Sequence, residues 1–309
     1  MPTNTNAIDA VVAGLGDEWT RFDQSKLSEL ELEALFQGYF HIFPWSNLPP
    51  EAEGFDLGCG SGRWARLVAS RVRRLHCVVA SDDALAVARS NLSEVTNCVF
   101  HHASVDAIPL VDGSMDFGYS LGGLHHVPDT LEGLKACTAK LRPGAPFLLY
   151  LYYAFDNRSL WFKVVWRASD LVRRAVSVAP NPVRYAASQV LAVALYWPLA
   201  RAAALGEAVG LKVSGWPLSN YRSRSFYVMR NDSLDRFGTR LEHRFTRAQI
   251  ESMLRAAGLD DIHFSETEPF WCAVAYKRCS EIHGATNDDG RAMPRRASET
   301  QGPGENPVA

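Results

Sequence analysis

Asp56, Gly58, Gly60 and Gly62 stand in the run G-F-D-L-G-C-G-S-G-R-W from Gly54 to Trp64, a carboxylate followed by three glycines at every second position. Glycines so spaced let a strand turn sharply into a helix and bring bare backbone against a ligand. A dinucleotide loop, G-x-G-x-x-G, needs a third glycine where this chain has Arg63, which disfavours a nicotinamide cofactor. Further on, S-L-G-G-L-H-H-V-P-D carries His125 and His126 just after a strand, where a histidine can take a proton near neutral pH. The run L-Y-L-Y-Y-A-F-D-N-R brings Tyr152, Tyr153, Asn157 and Arg158 to the same edge, offering hydroxyls and a guanidinium fork to a polar substrate. Tyr221, Arg222, Arg224, Tyr227 and Arg230 cluster downstream; in a strand or turn such spacing suits a carboxylate or phosphate, and it equally suits a solvated charged face. The adjacent pairs His101-His102 and His125-His126 lack ligand spacing, so no metal is expected.

These residues need a frame, and the chain alternates strand and helix around them, as in an α/β parallel sheet covered on both faces. Strands are predicted before the glycine run, over Leu75–Val79, Cys98–His102, Met115–Tyr119 and Pro146–Tyr152, with helices after Arg63, near Ala84 behind a Ser81 cap, and after Pro128. Thr246 and Gln249 spell a capping box for a helix that Gly258 ends, and strands over Asp260–Phe264 and Phe270–Lys277 close the fold. Two segments stand apart. Residues 1–50 hold Leu32, Leu35, Phe36, Tyr39 and Phe40 on one face of a helix, expected to cover the ligand mouth. Residues 156–240 interrupt the fold before its last helix and read as a helical lid, with residues 51–155 and 241–279 as the core.

Asp-x-Gly-x-Gly-x-Gly at the end of a first strand resembles motif I of the class I S-adenosylmethionine-dependent methyltransferases, and L-H-H resembles a further motif of that superfamily, of the small-molecule, methyltransferase type 11-like kind. The resemblance covers about residues 52–152 and 241–278. It implies a Rossmann-like three-layer sandwich, a mostly parallel seven-stranded sheet with an antiparallel last strand, and S-adenosylmethionine as cofactor. It also implies that Gly58 and Gly60, with Cys59 and Gly62, cradle the methionine end while Asp56 meets its ammonium. The ribose end departs from the pattern: Val79, followed by Ala80, occupies the place of an acid that grips both hydroxyls, leaving Asp82 or Asp83 to reach round. Ser104, Val105 and Asp106 fall in the adenine-binding stretch, and Ser120 ends the fourth strand. His125 and Tyr153 are the catalytic candidates. His126, Tyr152, Asn157, Arg158, Tyr221, Arg222 and Arg224 are the substrate-binding ones.

Bulk properties narrow the acceptor. The 309 residues carry a formal charge of −2, which argues against a nucleic-acid binder relying on a global positive field. Six scattered cysteines without a C-x-x-C pair read as buried thiols of a reducing cytoplasm, and the first ten residues lack a signal-peptide pattern. Residues 280–309 are rich in Gly, Pro, Asn, Ser and charge, which predicts disorder. The lid helix carries Trp161, Val165, Ala168 and Val172 on one face and Lys163, Arg167, Asp170 and Arg174 on another; packing on the core is the default, and contact with a membrane surface or a lipid-linked substrate the alternative. The apolar run from Tyr185 to Leu205 is broken by Gln189, Pro198 and Arg201, against a membrane-spanning helix. The expectation is methyl transfer to a small polar acceptor, first a hydroxyl of a secondary metabolite, glycan or lipid-linked sugar, in the absence of the N-P-P-[FY] motif of N-methylation. The rivals are a non-methylating enzyme of the same fold and a non-catalytic binding protein. Oligomeric state is not legible.

Overall fold

The computed structural model of the chain describes residues 5–279, so the expected disordered tail lies outside the described residues. Seven strands form one sheet: β1 (Glu53–Leu57), β2 (Arg74–Val79), β3 (Cys98–His102), β4 (Phe117–Leu121), β5 (Pro146–Tyr150), β6 (Leu259–Phe264) and β7 (Cys272–Lys277). Their spatial order is 3-2-1-4-5-7-6, with the first five parallel and β7 antiparallel to both neighbours. This is the class I methyltransferase sheet. Strand order reverses between β1 and β4, the point at whose carboxyl edge open sheets hold their ligands.

Sequence complementarity fixes the centre of that sheet. Gly54 of β1 pairs with Phe117 of β4, and Phe55 pairs with Gly118, so each ring lies over the partner strand's glycine. A methyl at Gly118 would sit 2.4 Å from the Phe55 ring, and one at Gly54 2.3 Å from Phe117. The two rings thereby fall on opposite faces and seed two cores. Phe55 joins Leu134, Leu141, Phe147 and Ile250 under α5 (Thr130–Lys140) and α10 (Arg247–Ala256). Phe117 joins Phe36, Trp64, Leu75 and Leu92 under α2 (Glu29–Phe40), α3 (Arg63–Ala69) and α4 (Asp82–Asn91).

Local signals hold where the sequence spells a cap. Ser81 accepts from the Ala84 N–H, and the Thr246–Gln249 box closes reciprocally. Boundaries shift elsewhere. The fourth strand starts at Phe117 rather than Met115, because the Asp116 carboxylate receives the Glu53 N–H and Met115 bridges only Leu141. Strand β5 stops at Tyr150 and β7 starts at Cys272, each within the predicted run. Cys98 is half-buried and Cys279 exposed, unlike the four buried thiols.

The N-terminal cover is built differently from the expectation. A helix α1 (Thr5–Arg21) precedes the amphipathic one and packs on α4, while α2 sends Leu32, Phe36 and Phe40 into the core and only Leu35, Gly38 and Tyr39 toward the ligand side.

The regular elements of the lid are all helical. It comprises α6 (Leu160–Ser177), α7 (Asn181–Leu191), a π turn (Ala192–Tyr196), α8 (Trp197–Ala208) and α9 (Phe226–Gly238). Gln189, Pro198 and Arg201 do not interrupt it: Asn181–Ala208 is one continuous helix, long and apolar enough by length and composition to cross a membrane. Pro198 enters at the first turn of α8, just after the π turn, where the regular i→i−4 ladder is already displaced. The second correction concerns α6. Its apolar residues Trp161, Val165 and Val172 are exposed, whereas Arg173 is buried and Asp170 nearly so.

Candidate functional site

A cavity of about 1300 Å³ lies between the carboxyl ends of β1, β2 and β4 on one side and α1, α2 and the lid on the other. Pockets for a single drug-sized ligand run to roughly 1000 Å³, so this volume accommodates a cofactor and an acceptor together.

At the sheet end, Gly58 and Gly60 line it, with left-handed φ of 78° and 53°. A side chain at Gly60 would collide with the Trp19 ring of α1, 2.7 Å from its ideal Cβ, so the bare backbone is required twice over. Cys59, Gly62 and Asp56 stand behind this wall; Gly62 caps α3 and packs against Leu92. Asp56 is buried, and its Oδ2 has no hydrogen-bond partner among the described residues. Burial pushes its carboxyl up to about 7, against the pull of the Tyr119 hydroxyl and the Arg63 guanidinium. A buried carboxylate left unpaired is costly unless a ligand satisfies it.

The next wall is apolar where an acid was wanted. Val79 and Ala80 line the cavity opposite Val11, Val12 and Leu15 of α1. Neither aspartate reaches round. Asp82 is turned to solvent and meets His102 Nδ1 at 3.0 Å, and Asp83 lies against Gly16 of α1. Ser104, Val105 and Asp106 line the following stretch, with the Ser104 hydroxyl donating to the Asp106 carboxylate. Ser120 lines it too, its hydroxyl donating to the Leu57 carbonyl at 2.9 Å and so tying β4 to β1 beneath the loop.

The two histidines part company. His125 is fully buried and stacked on Tyr152 at 3.8 Å, both ring nitrogens lack partners among the described residues, and it does not line the cavity. Burial, then the neighbouring His126, hold it well below its usual pKa. The sequence reading offered His125 as the base, and the fold sets it behind the cavity wall. His126 does line the cavity. Its Nδ1 is 2.7 Å from the Leu241 carbonyl, which only accepts, so Nδ1 carries a proton. Nε2 lies 3.7 Å from an oxygen of Asp235, whose other oxygen accepts the Tyr152 hydroxyl. The result is a Tyr152–Asp235–His126 cluster.

Around it stand further acids from the lid and α1. Asp232 accepts from the Tyr221 hydroxyl at 2.8 Å and is pushed by burial up to about 6. Glu18 accepts from Asn231 at 2.6 Å and is raised well above the usual carboxylate range, by burial first and then by Asp235. Tyr153 lines the cavity, but its hydroxyl receives the Arg158 Nε–H at 3.3 Å and burial raises its pKa, so it is a wall residue and no base at neutral pH. Arg158 also reaches the Ser214 carbonyl and Glu268. Asn157 is exposed and off the cavity, a correction to its substrate role. Tyr221, Arg222 and Arg224 line the far end, in a 3₁₀ turn (Ser219–Tyr221) and the loop after it rather than a strand; Arg222 is engaged by Glu207 at 2.9 Å. Tyr227 and Arg230 instead lie on α9, holding the Gln24 N–H and Gln189.

Sequence reasoning missed Glu18, Trp19, Asp232 and Asp235. A signal existed: Asn231 and Asp235 stand at i and i+4 on one face of a helix, with Asp232 beside them.

Residues 55–149 match the family described as "Methyltransferase domain". This part of the chain is a methyltransferase domain. The family implies S-adenosylmethionine as methyl donor. Among relatives, the chain is 34% identical over 106 residues to a ubiquinone biosynthesis O-methyltransferase of Aromatoleum aromaticum, covering 34% of this chain and 44% of the relative. It is 28% identical over 111 residues to phosphoethanolamine N-methyltransferase 2 of Caenorhabditis elegans, covering 35% of this chain and 25% of that one. The match thus spans less than half of either relative. Among solved structures, a methyltransferase of Methanosarcina mazei aligns over 77% of this chain and 98% of its own, at 17% identity and a TM-score of 0.47. The O- and N-methyltransferases among the relatives differ in acceptor atom, so the shared domain specifies the donor and not the acceptor.

Proposed function

We propose that this protein transfers the methyl group of S-adenosylmethionine to a small polar acceptor, first a hydroxyl of a secondary metabolite, glycan or lipid-linked sugar. The observation that carries this reading is the unpaired, buried Asp56 carboxylate beneath a bare glycine cradle. That pairing of an anion with open backbone amides fits a zwitterionic methionine end. When bound, the cofactor supplies an electrophilic methyl on a sulfonium. Gly58 and Gly60 would hold its amino-acid end, with Asp56 behind them as the counter-ion, and Val79, Ala80 and Ser104 to Asp106 would flank the nucleoside.

The chain's remaining task is to present a nucleophile in line and remove its proton. His126 is suited to this, because it lines the cavity and the Leu241 carbonyl holds the Nδ1 proton, which makes Nε2 the basic nitrogen of the neutral ring. The proton moves from the acceptor oxygen to His126 Nε2, and Asp235 stabilises the imidazolium. Tyr152 orients Asp235 from the other side. Tyr153, Arg158, Tyr221 and Arg224 supply the polar wall against which the acceptor settles. The six free thiols favour a reducing compartment and hence a cytoplasmic enzyme.

Calorimetry with S-adenosylhomocysteine, followed by transfer of labelled methyl from the donor to a small-molecule extract, tests the reading. Binding together with label in an organic product is expected. Binding without transfer, but with chemical change of an acceptor, would favour a non-methylating enzyme. No binding at millimolar concentration would leave only a scaffold.

A further inference from the structure

The lid is built with its polarity reversed. On α6, Leu160, Val164, Leu171 and Val178 recur at helical spacing and are 81%, 62%, 68% and 70% exposed. Turned inward instead are Arg173, which reaches Asp170 at 2.7 Å and the Thr239 carbonyl at 3.2 Å, and buried Ser177, whose carbonyl receives Arg240. The adjacent long helix repeats the arrangement. Arg184 and Ser188 are buried, with Arg184 donating to the Gly238 carbonyl and Ser188 accepting from Ser233, while Val183, Val190, Val193 and Trp197 face out. A helix pair that buries guanidinium groups and exposes valine, leucine and tryptophan has its apolar face prepared for something other than water.

The rim of that face is of one sign. Lys163, Arg167 and Arg174 edge the apolar stripe of α6, and its single acid, Asp170, is turned in and held by Arg173 and Arg174. The long helix has one acid, Glu207, which Arg222 engages. A second copy would bring from these helices a single exposed acid, Glu207, already paired with Arg222, to meet the basic rim, whereas lipid phosphates are anionic throughout. Trp161 and Trp197, each about half exposed, are the side chains favoured at a membrane interface. The long helix does not span, because its Ser188, Ala192, Tyr196 and Ala200 face is buried in the protein.

We infer that the outer face of α6 and the long helix docks on an anionic bilayer surface, lying in the headgroup region as an amphipathic interfacial element. Val165 and Leu195 belong both to this exposed face and to the cavity lining, and Trp216, in the loop after α8, is exposed at the same mouth, so docking sets the cavity mouth against the lipid. The acceptor class that suits such a mouth is an amphiphile with a polar head for the Tyr152–Asp235–His126 end and an apolar tail. The docking stands without the methyltransferase reading; the acceptor class rests on it.

Flotation of the full chain with vesicles tests the docking, using equal parts phosphatidylglycerol and phosphatidylcholine against phosphatidylcholine alone. Wild type is expected to float with the anionic vesicles, weakly with the neutral ones, and less as salt rises. Trp161→Glu with Leu171→Glu should cut the bound fraction by about tenfold or more, and Lys163→Glu with Arg167→Glu should abolish the preference for anionic lipid. The thermal shift with S-adenosylhomocysteine is read on the same samples: an unchanged shift in the variants shows an intact fold, and no shift in wild type breaks the methyltransferase reading while leaving flotation interpretable. Wild type remaining at the bottom of the gradient, or variants floating equally well, overturns the inference. So does a dimer in sedimentation that Leu171→Glu splits without any flotation, since a second copy would then cover the face.

Discussion

The sheet and the lid obey opposite rules of burial within one chain. In the sheet, phenylalanine and leucine fill two cores, and Asp56 at the cofactor end is the buried carboxylate. In α6 and the long helix, Arg173, Ser177, Arg184 and Ser188 face inward beside a small core of Tyr196 and Ala200, while a stripe of valine and leucine faces outward. The sheet is stabilised by what it buries, so its sequence pattern reports its structure directly. The lid is tied down by directional hydrogen bonds from Arg173, Arg184 and Arg240 to carbonyl groups, and its apolar pattern reports a surface instead.

Substituting the same residue on both sides is the sharpest way to break this contrast. Leu134→Ala, in the core under α5, should cost about 2–5 kcal/mol in urea unfolding. His126→Ala tests the seam between the two regions, because its side chain leaves the sheet edge and meets Asp235 of the lid. Its turnover should fall by about 10²–10³-fold with little change in S-adenosylhomocysteine affinity. Loss of affinity with unchanged turnover would make His126 a wall residue.

Asp56→Asn should weaken cofactor binding by about tenfold to a hundredfold at pH 8. The pH dependence has a definite sign. Because burial raises the folded pKa from 3.8 to about 7, folding of the empty protein loses stability as pH climbs from about 4 to 7, where the folded form gives up its proton at a cost. A cofactor ammonium needs the ionised form, so wild-type affinity should rise by up to tenfold per pH unit up to about 7 and level off above it. Calorimetry across that range should find Asp56→Asn flat. Val79→Asp should tighten the same ligand by about tenfold, by supplying the missing acceptor for the ribose hydroxyls. Equal affinities would remove Val79 from the ribose site. The smallest effect is expected from Leu171→Ala, within about 0.5 kcal/mol of wild type, the counterpart of Leu134 on the exposed face.

The same contrast explains what was legible in the sequence. The glycine loop, the Ser81 cap and the Thr246–Gln249 box were readable because each is a local contract between residues a few positions apart. The helix carrying Leu32 to Phe40 was readable as a helix but not as a core element, since periodicity shows a face and not what covers it. The sequence offered His125 as the base and His126 as a substrate contact, and the 3₁₀ turn (Leu124–His126) put the first behind the Tyr152 ring and the second at the cavity. Asp235 lies 109 positions beyond His126 in sequence and joins it only through the placement of α9.

By itself, then, the sequence determined the alternation of strands and helices, the turn at Gly58–Gly62 that admits a cofactor, and the valine that departs from the expected ribose acid. Those are properties of short stretches, set by backbone freedom, capping and side-chain chemistry. Tertiary structure alone decided which histidine faces the cavity, which carboxylates surround it and which way the lid's apolar stripe points. A stripe of valine and leucine stabilises a buried face and a docking face equally well, and only the packed fold, by burying Arg173 and Arg184 beneath it, distinguishes the two.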